Sequence, residues 1–374
     1  MKVAFVHYWL TGMRGGERVL EAFSRMFPDA DIFTHVVDRD NISQRLAKHD
    51  IRTTYISKFP FAKKHYQKYL GFMPRALEQL DLSAYDLVIS SESGPAKGVI
   101  TRPDAFHLCY CHSPMRYIWD MYPDYLEESG WLARQVFPHV AHRLRTWDVT
   151  SSARVDQFVA NSSFVRQRIN KYYRRDAEVV FPPVNVARFA PDNGVEKGDF
   201  FLAAGELVGY KRFDLAVEAC KKANAKLIVV GSGSELPRLQ AMAGPNTTFM
   251  NRVDFATLRN LFASCRALIF PGLEDFGMVP VEVMASGRPV IAYGKGGALD
   301  SVAPGLSGQL VPEQTVEAFS EAIANFDDNA YSPEAIIQYA GRFGTSEFER
   351  KIQEILRGEG LTAPGVGLRS VAQA

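Results

Sequence analysis

Short apolar runs alternate along this chain with longer stretches in which apolar positions recur at helical spacing. Residues 3–6, 86–89, 107–110 and 157–160 are apolar with few charges, the pattern of parallel strands covered on both faces. Between them lie helical stretches such as residues 17–27, where Val19, Leu20, Phe23 and Phe27 recur at helical spacing. This strand-then-helix rhythm predicts an α/β fold with doubly wound sheets.

The rhythm breaks once. Residues 181–199 hold three prolines and two glycines, and Pro182-Pro183 can continue neither a helix nor a central strand. Strand-like runs then resume at 200–204, 226–230, 267–270 and 289–292. The pattern predicts two tandem Rossmann-like domains, residues 1–182 and 199–332, joined by a linker at 183–198. Residues 333–357 read as helices, with Ile336, Ile337, Tyr339 and Ala340, then Phe348, Ile352 and Ile355, at helical spacing. They either cover the second sheet or cross back to the first domain. Residues 358–374, rich in Gly and Ala, predict a loose tail. Ligands of such sheets bind outside the carboxyl ends of the strands, so a cleft between the two domains is expected to hold them.

Composition narrows the class. A chain of 374 residues with 47% hydrophobic and 23% charged residues is neither collagen-like nor mostly disordered. Lys plus Arg number 43 against 42 Asp plus Glu, so no global attraction to nucleic acid is expected. The charge is uneven, however: residues 1–185 carry 25 basic and 20 acidic side chains. Four cysteines in this length do not make a disulfide framework. The first apolar stretch is too short for a signal segment, and no run reaches the roughly 18 residues of a membrane span. A cytoplasmic protein is expected.

Residues 270–282, FPGLEDFGMVPVE, concentrate the chemistry. A strand ends at Phe270, a Gly-containing loop follows, and a helix is predicted to start near Met278. Amides at a helix start lack an internal partner and favour an anion, and Gly277 lets the backbone approach a phosphate. Glu274 in the loop can accept from sugar hydroxyls, and Glu282, one turn into the helix, can reach a ribose diol.

This E-D-F-G-x-x-x-x-E string resembles the signature of the retaining glycosyltransferases of family 4, which have the GT-B fold. The resemblance continues at Gly205-Glu206-Leu207-Val208-Gly209-Tyr210-Lys211-Arg212, at Val230-Gly231-Ser232-Gly233, at Arg14-Gly15-Gly16-Glu17 and at the Pro-Pro-Val-Asn hinge. Within the family, Cys111-His112-Ser113-Pro114-Met115-Arg116-Tyr117 is similar to a segment of bacterial mannosyltransferases of exopolysaccharide and O-antigen assembly. The resemblance implies an acceptor-binding first domain and a nucleotide-sugar-binding second one, with His112, Lys211 and Glu274 as catalytic residues. Lys211 would neutralise a leaving diphosphate. Backbone at Gly15, Gly16, Phe276, Gly277, Met278 and Val279 would cradle phosphate and sugar. Glu274 would hold the transferred hexose, Glu282 the ribose, and Arg252 and Val253 would border the base. Arg14 and Arg116 are candidate acceptor contacts. The implied reaction moves mannose from GDP-mannose onto a polyprenyl-diphosphate-linked sugar, with a UDP-sugar donor or a catalytically silent nucleotide-sugar binder as alternatives. No cofactor or metal is implied.

One position departs from the family pattern. Glu206 stands where an Arg is usual, and a carboxylate facing a diphosphate is repulsive. Arg212, beside Lys211, is the expected substitute cation.

Other constellations are weaker. Cys109, Cys111 and His112 suggest zinc, but no second Cys/His cluster supplies a fourth ligand, so core packing is expected for both cysteines. The Gly231-Ser232-Gly233 turn lacks the third glycine of a dinucleotide fingerprint. Asp38-Arg39-Asp40 reads as turn chemistry. A glycosidase with Glu274 and Glu282 as its carboxylate pair would leave the phosphate-binding features unused. Residues 58–75 hold five basic side chains and no acidic one among five aromatics. Lys58, Phe61, Lys63, Lys64, Lys68 and Tyr69 there suggest peripheral contact with anionic lipid on the inner face of the plasma membrane. Arg166, Arg168, Lys171, Tyr172, Tyr173, Arg174 and Arg175 could extend it.

Overall fold

The computed structural model describes residues 1–128, 130–192 and 194–363, so residues 364–374 of the expected tail lie outside the described residues. The chain forms two compact units. Residues 1–182, with the chain from Phe348 onward, make the first, and residues 183–347 make the second.

The first unit is built on a parallel sheet of β1 (Val3–His7), β2 (Asp31–Thr34), β3 (Ile51–Thr53), β4 (Leu87–Glu92), β5 (Phe106–Cys111), β6 (Gln157–Ala160) and β7 (Ala177–Val179). Their spatial order is β3-β2-β1-β4-β5-β6-β7. The second carries β8 (Phe201–Ala204), β9 (Leu227–Val230), β10 (Thr247–Met250), β11 (Leu268–Phe270), β12 (Val290–Tyr293) and β13 (Gly308–Val311), in the order β10-β9-β8-β11-β12-β13. Both are Rossmann-like, and in both the strand order reverses once, between β1 and β4 and between β8 and β11. Such reversals leave a crevice outside the carboxyl ends of the strands, because successive connections leave the sheet in opposite directions.

Apolar side chains fix these sheets from both faces. In the first unit Phe5, Phe23, Ile32, Leu108 and Tyr110 pack together with Phe348 and Ile352. In the second, Phe201, Val229, Ile269 and Ile291 pack against Phe319 and Ile323.

The two carboxyl-terminal helices divide between the units. Pro333–Ala340 stays with the second, where the space beside Gly287 is taken by Pro333 and Ile337. In the helix Thr345–Gly358, Phe348 lies 5.2 Å from the Phe23 ring and 5.6 Å from Tyr110. The segment read as a linker is folded at its start. Val184 N–H donates to Phe343 O (2.9 Å), and Ser286 Oγ donates to Phe189 O (2.8 Å).

Candidate functional site

In the second unit, four strand-end loops meet backbone to backbone. After β8 the chain turns at Gly205, and Leu207 exchanges hydrogen bonds with the loop after β9, accepting from Glu235 N–H and donating to Ser232 O (both 3.0 Å). This approach demands glycine. A Cβ on Gly231, whose φ is +146°, would lie 1.8 Å from Gly205 O, and one on Gly233 would lie 2.1 Å from Leu207 O. Gly272, after β11, packs against the backbone of Lys211, where a Cβ would sit 2.9 Å from Lys211 Cα. Gly297, after β12, donates to Glu274 O (2.9 Å) and fixes the loop that carries it.

These contacts bring Lys211 and Glu274 together. Lys211 Nζ lies 3.3 Å from Glu274 Oε1, and both side chains keep a minor part of their surface open. Burial opposes the Lys211 charge most strongly, but Glu274, together with Tyr210 and Glu206, outweighs it and holds the ammonium above its usual pKa. The helix Met278–Ala285 begins directly after, with Gly277 at φ +84° as its cap. The first-turn amides have no intrahelical partner, although Pro280 removes one donor. A fixed cation beside free amides is an arrangement that stabilises a multiply charged anion. Phe276 and Glu282 are buried, Met278 and Val279 half-buried.

Glu206 is exposed and adds only a charge effect on Lys211. Arg212, the expected substitute cation, is ion-paired. It adopts φ +54° at the start of the helix Phe213–Lys222, and its guanidinium donates to both carboxylate oxygens of Asp214, 3.1 Å from Nε to Oδ1 and 3.1 Å from Nη2 to Oδ2. A neighbouring carboxylate two residues on captured it, which the spacing alone did not reveal.

The first unit gathers its polar side chains at its own strand reversal. Pairing of β1 with β4 sets His7 beside Ser91, and pairing of β4 with β5 sets Glu92 beside Cys111. His112 follows directly. Its Nε2 shares a 2.8 Å hydrogen bond with Ser91 Oγ, and its backbone N–H donates to Glu92 O (2.8 Å). Burial, with His7 nearby, lowers the His112 pKa to about 3, so the imidazole is neutral at physiological pH. Gly15 and Gly16 open the helix Gly15–Met26, and a Cβ on Gly16 would lie 2.1 Å from Tyr8 Oη. Arg14 caps that helix, its N–H donating to Glu17 Oε2 (3.0 Å).

Sequence reasoning missed what holds His112 in place. Glu92 Oε2 accepts from the N–H groups of Ala96 (2.8 Å) and Lys97 (2.7 Å), and Lys97 Nζ reaches Glu92 Oε1 at 3.3 Å. Lys97 also pairs with Asp148, whose other oxygen accepts from Trp119 Nε1 (2.8 Å) and Tyr173 Oη (2.9 Å). Lys97, Glu92 and Asp148 are wholly buried. The one sequence signal was the polar end, Ser-Ser-Glu, of an otherwise apolar strand.

A family model described as Glycosyltransferase Family 4 matches residues 13–188, and one described as Glycosyl transferases group 1 matches residues 187–343. The chain belongs to glycosyltransferase family 4. The O-antigen chain mannosyltransferase RfbU of Salmonella typhimurium is 31% identical over 139 residues, 34% of this chain and 39% of that protein. The GDP-mannose-dependent monoacylated alpha-(1-6)-phosphatidylinositol monomannoside mannosyltransferase of Corynebacterium glutamicum is 30% identical over 150 residues, 37% of this chain and 38% of that one. The chain spans about half the length of several other curated relatives it matches. The crystal structure of Anabaena HepE in complex with UDP shares the fold at a TM-score of 0.70 and 17% identity, covering 96% of this chain and 100% of that one.

The remaining candidates of this glycosyltransferase are dispersed. Arg252 and Val253 lie after β10, exposed and half-buried, and Arg116 is half-buried after β5. Cys109 and Cys111 pack into the core with Phe158, Val165 and Ile169, and both thiols are pushed up by burial. Asp38 caps the short turn Arg39–Asn41. Lys58, Phe61, Lys63, Lys64 and Lys68 are exposed, and Tyr69 donates to Pro60 O at 2.7 Å. The second basic cluster does not extend them as a set: Arg168 is buried on Ser113 (2.9 Å), Arg175 donates to Ser152 O (2.8 Å), and Tyr172 stacks on Trp119. The charges of Arg168 and Arg175 serve local carbonyls and side chains, while Arg166, Lys171 and Arg174 are exposed. Among the described residues, no helix is long and apolar enough to cross a membrane.

Proposed function

We propose that this enzyme transfers mannose, with retention, from GDP-mannose to a polyprenyl-diphosphate-linked saccharide at the inner face of the plasma membrane, during bacterial surface polysaccharide synthesis. The observation that carries the reading is Lys211 held 3.3 Å from Glu274, in the loop that leads into the helix Met278–Ala285. A nucleoside diphosphate arriving there competes with Glu274 for the ammonium. It thereby frees the carboxylate to accept from hexose hydroxyls. As the glycosidic bond breaks, negative charge grows on the leaving phosphate, and Lys211 with the amides around Gly277 and Met278 stabilises it. Glu282 takes the ribose and Arg252 with Val253 border the base. His112, neutral and oriented by Ser91, lies beside the reacting sugar as a hydrogen-bonding group. In this reading Gly15 and Gly16 approach the phosphate, Arg14 and Arg116 meet the acceptor, and the exposed basic-aromatic segment around Lys63 and Lys64 brings the enzyme to anionic lipid.

Mannose is supported by the Salmonella and Corynebacterium relatives, both mannosyltransferases, and GDP by the Corynebacterium one, which is GDP-mannose-dependent. The UDP bound in the Anabaena neighbour favours the competing donor class. Thermal shift against GDP, GDP-mannose, UDP, UDP-glucose and UDP-N-acetylglucosamine decides between them. Stabilisation by the guanosine pair alone is expected, and a shift confined to the uridine compounds overturns the donor assignment.

A further inference from the structure

The first unit leaves an apolar stripe uncovered on its longest helix, Trp131–Ser152. Phe137, Val140, Ala141 and Leu144 of that helix pack with Leu70, Met115 and Ile118. Residues 131–136 project beyond this packing, with Trp131 76%, Leu132 68% and Val136 53% exposed. Leu132, Val136 and Val140 follow at four-residue intervals and share one helix face. Val140 Cγ1 lies 3.6 Å from where a Cβ of Gly71 would stand. The stripe therefore runs onto Gly71 and its neighbour Phe72, which is 55% exposed, and into the segment that displays Phe61 at 78%. From Val140 back to Trp131 the helix spans about 14 Å, so these side chains belong to one region of the surface.

Charge selects the occupant. Residues 58–77 carry Lys58, Lys63, Lys64, Lys68 and Arg75 with no carboxylate, and residues 130–147 carry Arg134, Arg143 and Arg145 with none. Lys63 lies 3.9 Å from Asp38, Arg145 donates to Ile118 O, and Arg134 donates to Leu126 O at 3.2 Å. Lys58, Lys64, Lys68, Arg75 and Arg143 are all exposed. Asp124 and Glu127 precede Trp131 on the short helix Tyr122–Glu128, but the segment 58–77 alongside is basic and acid-free. Large apolar side chains beside it suit an anionic bilayer, where rings and aliphatic chains enter the interface and ammonium groups meet lipid phosphates.

We propose that the projecting end of this helix, through Trp131, Leu132 and Val136, inserts into anionic membrane together with Phe61 and Phe72. The inference rests on the membrane-facing reading above and adds the element that anchors it. Residues 131–136 are not part of the proposed donor site, so substitutions there leave nucleotide-sugar binding intact.

The test compares the full-length protein with Leu132→Asp/Val136→Asp and with Lys63→Gln/Lys64→Gln/Lys68→Gln. Each is sedimented with phosphatidylcholine vesicles made with and without phosphatidylglycerol. The wild type is expected on phosphatidylglycerol vesicles at low salt, with a blue shift of tryptophan emission that Trp131→Phe removes. The Asp pair should reduce partitioning about tenfold or more at unchanged melting temperature and unchanged GDP-mannose binding. Full binding by the Asp pair, with loss in the Lys triple variant, overturns the insertion while leaving membrane contact standing. Absence of wild-type binding to any vesicle removes both. A wild-type dimer that the Asp pair converts to monomer, without vesicle binding, assigns the stripe to a second copy of the chain and equally overturns the proposal.

Discussion

Lys211 and Glu274 sit 3.3 Å apart although 63 positions separate them, because Gly272 lets the loop after β11 lie directly on the Lys211 backbone. Neither residue is held by its own element alone. The pair is a product of two loops, and the expected consequences follow from that.

Lys211→Ala removes the cation that the leaving diphosphate meets. We expect kcat to fall by about 10² to 10³, with a smaller loss of GDP affinity, since charge on the phosphate is greater in the transition state than in the bound donor. Steady-state kinetics with GDP titration measures both. Glu274→Gln keeps the shape and should lower kcat without loss of fold.

Gly231→Ala should destabilise the second unit. The substitution places a methyl 1.8 Å from Gly205 O and forces a non-glycine residue to φ +146°. The strain of such a backbone is of order 1–3 kcal/mol before the clash is counted. A lower melting temperature with reduced donor binding is the expected result of calorimetry.

The first unit should be acid-labile. Burial lowers His35 and His107 from the ordinary 6.5 to about 4, and His112 to about 3. Between those values the unfolded chain binds protons that the folded chain refuses, so stability is full above pH 6.5 and declines as pH falls. Each histidine contributes a slope of about 1.4 kcal/mol per pH unit in that window. Urea unfolding of the wild type at pH 7.5 and 5, against His107→Gln, reports it; the variant should show a shallower dependence.

Lys97→Met should cost about 3–5 kcal/mol, because it strands the buried carboxylates of Glu92 and Asp148 without a counter-charge. Denaturant titration gives the loss directly. Asp148→Asn should cost less, since Trp119 and Tyr173 still find an acceptor.

Much of the fold was legible because buried parallel strands are short apolar runs. The reading of 157–160 coincides with β6, and those of 3–6, 226–230 and 289–292 differ from β1, β9 and β12 by one residue at an end or a one-residue shift. The strands passed over were β2 (Asp31–Thr34), β3 (Ile51–Thr53), β7 (Ala177–Val179), β10 (Thr247–Met250) and β13 (Gly308–Val311), four of them at sheet edges, where a strand needs fewer apolar residues. Lys211 and Glu274 could be singled out because each lies in a short local string. The Glu92–Lys97–Asp148 network could not, because Asp148 reaches Lys97 across 51 positions and looks from sequence like any helical carboxylate. Arg212 shows a further limit: adjacency to Lys211 suggested a shared task, and the sequence did not reveal that its guanidinium pairs with Asp214.

A crystal soaked with GDP-mannose tests the central claim most directly. The account predicts diphosphate oxygens within hydrogen-bonding distance of Lys211 Nζ and of the backbone amides at Gly277 and Met278, with a hexose hydroxyl on Glu274. A donor bound with its diphosphate away from both Lys211 and that helix start would contradict it.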